Sequence, residues 1–370
     1  MNRIAALAIL AATAASLALI LALPWPLVAG ALALALVAVP ATGRTVAIAA
    51  LFTFPLHLIL FAAIVRGGPQ AMLGPIQLSL DGAFVGAQAA LRLVTLTAVA
   101  LAWLEAFPAP RLLSALRLPP RLAGTLGALL LSAHGVREDW RNLILARRAD
   151  HTWPEHRWRQ IKAASELVPS LVAAALRRAA TRRDALRMAG HDTGPLFVPL
   201  VAFGALALAG RLLFLALPNI ALTYLVVFLA GILFGARAGA LVAILSMGFS
   251  NLLLTGLLPA PFVNLPAMAL LGVLGGLLRG VPWGESRTAA RVAATAIGIA
   301  ATLLFSVATD VGSWFLLPEL RNQQGTLVPL IAAGLAFNAL PAAVNGALFA
   351  VAVPATVRAL RVATPVASAR

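Results

Sequence analysis

Long apolar runs alternate with short polar connections along most of this chain, and one long polar stretch interrupts them near the middle. Runs of about 20 apolar residues are typical of helices that span a bilayer, since a helix rises about 1.5 Å per residue. The predicted spans lie at 4–23, 26–42, 46–65, 86–107, 196–217, 221–235, 239–257, 262–279, 292–316 and 327–352. The pattern therefore predicts about ten transmembrane helices.

The polar stretch from Arg111 to His191 is too polar to span, but it has helical periodicity. Its apolar residues form a stripe that we define as Val168, Leu171, Val172, Ala175, Leu176 and Ala179. Arg177, Arg178, Arg182 and Arg183 fall largely beside that stripe. Such a pattern predicts amphipathic helices that lie along the cytoplasmic face of the membrane.

The distribution of positive charge predicts the orientation of the spans. Of the 28 Lys and Arg residues, 15 lie between Arg111 and His191, and the loops predicted outside hold only Arg66 and Arg321. Lys and Arg are retained on the cytoplasmic side of membranes. We therefore expect an even number of spans in a bacterial cell (inner) membrane, with both termini in the cytoplasm.

Composition limits the class of protein further. The chain is 61% hydrophobic and 11% charged, against about 25% charged residues in soluble domains. Its mean hydropathy is +0.96. A net charge of +16 would suggest nucleic acid in a soluble protein, but here it reports topology, so we expect a lipid bilayer and no nucleic acid as partner. Because cysteine is absent, disulfides and iron–sulfur clusters are excluded.

Motifs of enzymes are absent from the sequence. There is no phosphate-binding G-x-x-x-x-G-K-[ST] loop, no H-E-x-x-H, and no acidic pair that would bind a diphosphate through Mg²⁺. His134 and Glu138 are four residues apart, which favours a solvated contact on a helix over a metal site. We expect neither catalytic residues nor a bound metal in this chain.

Two short motifs in the polar stretch resemble a known family. The stretch "ARRAD" (Ala146 to Asp150) resembles the Ala-Arg-Gly-Ala-Asp element in the coupling subunit of energy-coupling factor (ECF) vitamin transporters. About 40 residues later, "ALRMAGHD" (Ala185 to Asp192) stands where that family carries Ala-x-x-Ala-Arg-Gly-Tyr. The sequence departs from both motifs: Arg148 replaces a Gly, and Ala189 replaces an Arg, with Arg187 two residues before it. The resemblance implies that a pair of ABC-type ATPase subunits docks on six residues: Ala146, Arg147, Arg148, Arg187, Ala189 and Gly190.

The second half resembles the substrate-binding subunit, or S-component, of the same transporters. The matching pieces are Arg211, Pro218-Asn219, "FGARAG" (Phe234 to Gly239), Ser250-Asn251, "TDVGSWF" (Thr309 to Phe315) and Asn345-Gly346. Their order matches over most of residues 200–360, with six spans. The resemblance divides the chain into a coupling-like domain, 1–191, with four spans plus cytoplasmic helices 111–191, and an S-component-like domain, 195–370.

The predicted topology places most of the candidate polar residues toward the outer side of the second half, and Asn251 well inside the third of its spans. The candidate substrate-binding residues are Asn219, Thr223, Tyr224, Asn251, Asn264, Asp310 and Trp314. Each has a plainer explanation, such as a turn cap for Asn219 or an interfacial anchor for Trp314. For Gly235 and Gly239 a tight turn is favoured over a ligand.

Three further residues are expected in helix packing. Ala205 and Ala209 are small residues four apart, which let helices approach closely, and the plainer alternative is a lipid-facing Ala-rich surface. Asn345 is expected to bridge helices.

The resemblance implies ATP-driven import of a vitamin or related micronutrient, with cobalamin or another corrinoid as the nearest match. It also implies that the chain binds no cofactor and that ATP and Mg²⁺ belong to the partner subunits. Two alternatives stay open: a membrane-embedded lipid-modifying transferase, which would need clustered acids or His at the cytoplasmic edge, and a non-transporting scaffold whose basic helices recruit a partner.

Overall fold

The computed structural model of the chain describes most residues from 69 onward and fewer before. The described ranges are 23–38, 69–73, 76–106, 119–152, 154, 157–190, 193–213, 222–255, 264–283, 287–316 and 327–363, with isolated helical positions between 12 and 20 and between 43 and 62. Within these ranges the protein is almost entirely helical, as expected for an all-α fold.

The described part of the first 190 residues contains helices and one small β-hairpin. The described elements are α1 (Trp25–Ala38), β1 (Gln70–Leu73), β2 (Ile76–Ser79), α2 (Leu80–Ala106), α3 (Pro120–Ala149) and α4 (Arg157–Met188). The two strands are antiparallel, and Gln70 pairs with Ser79. This hairpin lies in a stretch that the sequence predicted as a plain outer loop.

The remaining elements follow Gly190. They are α5 (Phe197–Leu213), α6 (Leu222–Phe234), α7 (Ala236–Thr255), α8 (Leu265–Leu277), a 3₁₀ turn (Leu278–Gly280), α9 (Arg287–Leu316), α10 (Leu327–Phe337) and α11 (Ala339–Ala363). The predicted span 327–352 is wrong as a single helix, because the chain divides at Asn338. Pro341 has no N–H to donate to the Phe337 carbonyl, which favours a bend at this place.

Two of the described helices contain a stretch that is long and apolar enough to cross a membrane: Thr288–Gly312 within α9 and Ala339–Leu360 within α11. Four shorter apolar stretches are also present, at Trp25–Leu36, Phe197–Arg211, Leu222–Phe234 and Leu265–Gly280. The described helices thus fit a membrane-associated protein.

A single apolar core joins the basic hairpin of α3 and α4 to the helices that follow it. Both α3 and α4 pack on α5, and α4 also packs on α11. A Cβ atom added to Gly204 on α5 would lie 2.6 Å from Leu129 Cδ1 on α3, so these two helices are very close. A smaller core joins α1 and α2 through Ala35, Val94 and Ala98.

The apolar stripe of α4 faces protein. Leu171 and Val172 are 2% and 0% exposed, and the other members are buried or half-buried. They belong to the same core as α5 and α11. The sequence expected this face to lie on the membrane, whereas in the structure it contacts other helices of the same chain.

Helices α6, α7 and α8 meet along what we call the glycine seam, formed by Gly231, Gly239, Gly272, Gly275 and Gly276. A Cβ atom added to Gly272 would lie 2.8 Å from the Ala240 backbone nitrogen and closer still to Gly239. Gly235, with a φ of 91°, forms the turn between α6 and α7. Gly239 instead lies within α7 at a helix contact, so the turn expected there is wrong.

Candidate functional site

The side chain of Arg211 lies in the last turn of α5 and reaches across to α7. Its Nη1 donates to Ser250 Oγ at 2.5 Å and approaches Met247 Sδ at 3.4 Å. Ser250 is fully buried, and its Oγ in turn donates to the Met247 carbonyl at 3.1 Å. A charged group is therefore held between two apolar helices by neutral partners.

Two aromatic rings pack against each other in the same part of the second half. Tyr224, at the start of α6, is 3% exposed and packs edge-on against Phe305 of α9, with ring centroids 5.1 Å apart. Tyr224 is also near enough to Arg211 for an electrostatic interaction. The ends of α5, α6 and α7 thus meet the middle of α9 in one region.

Helix α9 carries a line of polar or small residues at every fourth position, which we call the polar column: Gly298, Thr302, Ser306 and Asp310. Residues four apart lie on one face of a helix. Asn345 Nδ2 donates to Thr302 Oγ1 at 2.9 Å, and Asn338 Nδ2 donates to Ser306 Oγ at 2.8 Å. The column therefore joins α9 to α11 and to the junction of α10 and α11.

Asp310 stands at the end of the polar column. Ser306 Oγ donates to its Oδ2 at 3.5 Å, and the residue is half-buried. A Cβ atom added to Gly334 on α10 would lie 2.8 Å from Asp310 Cγ, so the carboxylate rests directly against that glycine. Within the described residues the Asp310 side chain forms no ion pair.

The other predicted substrate-binding residues differ in how free their side chains are. Thr223 is 2% exposed, and its hydroxyl donates to the Ala207 carbonyl at 3.1 Å, which ties α6 to α5. Asn251 is fully buried next to Ser250. Asn264, at the start of α8, has an Oδ1 that finds no partner among the described residues. Trp314 is half-buried, and Asn219 lies outside the described ranges.

The small residues predicted for packing are buried in α5. Ala205 is 0% exposed and Ala209 is 3% exposed, on a helix that packs against α3, α4, α6 and α7. Lipid does not reach these two side chains. Asn345 is 1% exposed and bridges α11 to α9.

The first motif forms the end of α3. Asp150 N–H donates to the Ala146 carbonyl at 3.0 Å, and Thr152 N–H donates to the Arg147 carbonyl at 2.9 Å. Arg147 Nη1 lies 3.3 Å from Glu166 Oε2 on α4. Ala146 and Arg148 are exposed, so Arg148 is the freer of the two arginines.

The second motif forms the end of α4. Gly190, with a φ of 80°, donates its N–H to the Arg187 carbonyl at 3.0 Å. Arg187 Nε donates to Thr193 Oγ1 at 3.3 Å. Arg187, Ala189 and Gly190 are all exposed. Glycine adopts such a φ readily and commonly ends helices.

An ion pair locks the two hairpin helices together between these ends. Arg178 Nη2 lies 2.6 Å from Asp139 Oδ1, and the guanidinium passes over Gly135. Burial, and then the neighbouring Arg178 charge, lowers the pKa of Arg182 from its ordinary value. His134 and Glu138 form the expected exposed contact, at 3.3 Å, with side chains 75% and 61% exposed.

Sequence reasoning missed four polar residues of these sites: Ser250 as a contact of Arg211, Thr302 and Ser306 in the polar column, and Asn338, which donates to Ser306. The signal for the column was the four-residue spacing that leads to Asp310 on one apolar helix. Asn338 offered a weaker signal, because its partner lies 32 residues away.

Among the described residues, no three His, Asp or Glu side chains gather where they could hold a metal ion. No protein-family model, curated protein or solved structure matches this chain.

Proposed function

We propose that this chain is the membrane component of an ATP-driven, ECF-type importer of a vitamin or related micronutrient. The second half binds the substrate, and the ends of α3 and α4 dock on separate ABC-type ATPase subunits. The observation that carries this proposal is the continuous core between the α3–α4 hairpin and α5. A displacement of the hairpin would move α5, and with it Arg211 and the polar groups around it.

The two hairpin ends suit a protein partner. Arg148 and Arg187 are exposed cations, each at the last turn of a long helix. An arginine can form paired, charge-assisted hydrogen bonds with carboxylates or with helix C-termini of a partner. Because the Arg178–Asp139 ion pair and the apolar stripe hold α3 and α4 together, force applied at either end reaches both helices.

The second half suits a small ligand. Ligand sites are mostly apolar with a few convergent polar groups. Arg211, Tyr224 and Ser250 gather near one end of the helices, and the polar column carries Asp310 on the neighbouring helix α9. Ionisable groups among apolar helices are costly and usually mark a binding site or pathway. The resemblance to corrinoid-binding S-components supports cobalamin or a related compound as the first substrate to test.

The test is co-purification of ATPase subunits from native membranes in mild detergent, read by mass spectrometry. We expect paired ABC ATPases with the wild type and at least a tenfold loss, roughly 1.4 kcal/mol of binding, with Arg148→Glu or Arg187→Glu. Arg141→Glu is the matched control, because Arg141 is exposed on the same helix as Arg148 and undergoes the same charge change. The absence of any ATPase from the wild-type sample would reject the importer.

Arg147 needs a separate design, because it also contacts Glu166. The exchange Arg147→Glu with Glu166→Arg restores an internal ion pair but places a negative charge at the docking end. We expect this double variant to stay folded and still lose the ATPases. If the double variant still co-purifies with the ATPases, the role of Arg147 is only to hold α3 against α4 through its ion pair with Glu166.

A further inference from the structure

The proposed function places Arg211 in the region of the ligand but does not assign a chemical group of the substrate to its guanidinium. Its partners among the described residues are the Ser250 hydroxyl and the Met247 thioether. No carboxylate of a described residue forms an ion pair with it. A cation among apolar helices without a counter-ion is costly, and an arginine offers five N–H donors. The hydrogen bonds that Arg211 forms with described residues use Nη1, and anionic groups are the strongest partners for its other donors.

The Arg211 side chain reaches a neighbouring helix. An arginine near a helix end in a membrane usually extends toward the water interface. Arg211 instead reaches α7, where its Nη1 meets the buried Ser250 at 2.5 Å. The connecting sequences 214–221 and 256–263 contain no Asp or Glu. A counter-ion is therefore not supplied by the loops that follow α5 and α7.

Further polar residues lie on α6 and α7, two helices that pack on α5. Tyr224 is close enough to interact with it electrostatically, and Asn251 follows Ser250 directly. A Cβ atom on Gly248 would lie 4.0 Å from Leu265 Cδ2, so the first turn of α8, which Asn264 precedes, packs on this part of α7. The Ser250 hydroxyl beside the guanidinium makes a chemically suitable setting for a carboxylate or phosphate.

We propose that Arg211 binds a carboxylate or phosphate group of the transported substrate. This inference rests on the proposed function and narrows its substrate to compounds that carry an anionic group. Arg211 is the specificity-determining residue, and Ser250 orients its guanidinium. Cobalamin, which carries a phosphodiester, fits this requirement, whereas cobinamide lacks that group.

The experiment measures binding to the purified full-length chain by thermal stabilisation and by titration. The probes are inorganic phosphate and three pairs that differ in one carboxylate: nicotinate with nicotinamide, biotin with biotin amide, and pantothenate with pantothenol. Cobalamin and cobinamide form a fourth pair, which differs in the whole nucleotide that carries the phosphodiester. We expect phosphate to raise the Tm of the wild type. In at least one pair the anionic member should bind about 30-fold more tightly than its neutral partner.

Variants then assign the effect to the guanidinium. Arg211→Met should abolish both the phosphate effect and the difference within the pair, and Arg211→Lys should retain part of each, because it keeps the charge without the planar fork. Unchanged discrimination in Arg211→Met overturns the proposal. So does a wild type that phosphate and every anionic probe leave unstabilised.

Two other partners for the Arg211 guanidinium, a lipid headgroup and a carboxylate of the chain itself, are tested in parallel. If phosphatidylglycerol vesicles stabilise the wild type through Arg211 and no soluble anion does, the bound group is a lipid headgroup and the substrate assignment is overturned. The connecting sequence 317–326 after α9 contains one carboxylate, Glu319. If Glu319→Gln and Arg211→Met each lower the Tm of the ligand-free protein by roughly 2 °C or more, the counter-ion is internal, which also overturns the substrate assignment. ATPase co-purification tests docking at the ends of α3 and α4 and does not depend on Arg211. Its result therefore distinguishes a failure of the Arg211 proposal from a failure of the importer proposal.

Discussion

The second half of the molecule joins its helices in two different ways. Along the glycine seam, α6, α7 and α8 approach so closely that a Cβ atom added to any of its glycines would meet backbone atoms of another of these helices. Along the polar column, α9 meets its neighbours through hydrogen-bonded side chains of Thr302, Ser306 and two asparagines. Both devices suit a membrane, where apolar burial between helices gives little driving force.

The difference concerns what each contact allows. Backbone atoms in contact have no rotamers, so the seam has one geometry. A hydroxyl or an amide can exchange one partner for another at small cost, so the column can rearrange. The ionisable residue Asp310 lies on the column, and the glycine seam contains only glycines. We infer that the seam is the fixed part of the second half and the column is its adjustable part.

The largest expected effect comes from filling the seam. Gly272→Ala places a methyl group against the backbone of Gly239 and Ala240, which cannot move aside locally. We expect a loss of roughly 3 kcal/mol or more in stability, seen as little folded protein in size-exclusion chromatography. The control is Gly127→Ala on α3, where the added methyl group meets no atom within 4 Å and helix propensity improves. Equal yields for the two variants would contradict the fixed seam.

A smaller effect is expected from Gly334→Ala, at the end of the polar column. The new methyl group would meet the Asp310 carboxylate, and a side chain can turn away. We expect a loss of about 1–2 kcal/mol, measured by thermal unfolding. The double variant with Asp310→Ala should recover most of it, because the obstacle is gone. No recovery would mean that the cost arises from the α10 backbone instead.

The smallest effect is the coupling between Ser306 and Asn338, whose side chains hydrogen-bond at 2.8 Å. A double-mutant cycle with Ser306→Ala and Asn338→Ala should give an interaction energy of about 0.6 kcal/mol, the usual size between membrane helices. The readout is unfolding in detergent. A value above about 2 kcal/mol would show the column to be as rigid as the seam.

Substrate binding extends the comparison to function. We expect Asp310→Asn to leave folding intact, because the amide keeps the shape and an uncharged group is cheaper among apolar helices. Uptake of labelled substrate should fall at least about tenfold if Asp310 binds it. Full uptake with Asp310→Asn would restrict the site to the region around Arg211.

Apolar run length predicted most helices well, because burial or lipid contact demands a continuous apolar surface. The boundaries of α5 and α6 agree with the predicted 196–217 and 221–235 within a few residues. The division at Asn338 was harder to foresee, since the run 327–352 stays apolar across it. The hairpin of β1 and β2 has too few residues for periodicity to detect.

The sequence identified single residues of the candidate site but not the contacts between them. Asp310 and Arg211 are conspicuous as charges in apolar runs. Their partners are not: Ser250 and Met247 are 39 and 36 positions from Arg211 in sequence, and only the crossing of α5 and α7 brings them together. The burial of the α4 stripe against α5 and α11 has the same cause, because periodicity shows an apolar face but does not show what covers it.

The core that the α3–α4 hairpin shares with the second half has a consequence for the gene. If the coding sequence were divided between Gly190 and Gly194, the two polypeptides would each expose a face that the other normally covers. Made together they should assemble, and made apart they should aggregate. Under the importer proposal, a substrate-binding half that cannot separate from its docking helices is not shared among ATPase complexes, so one set of ATPases would serve one substrate.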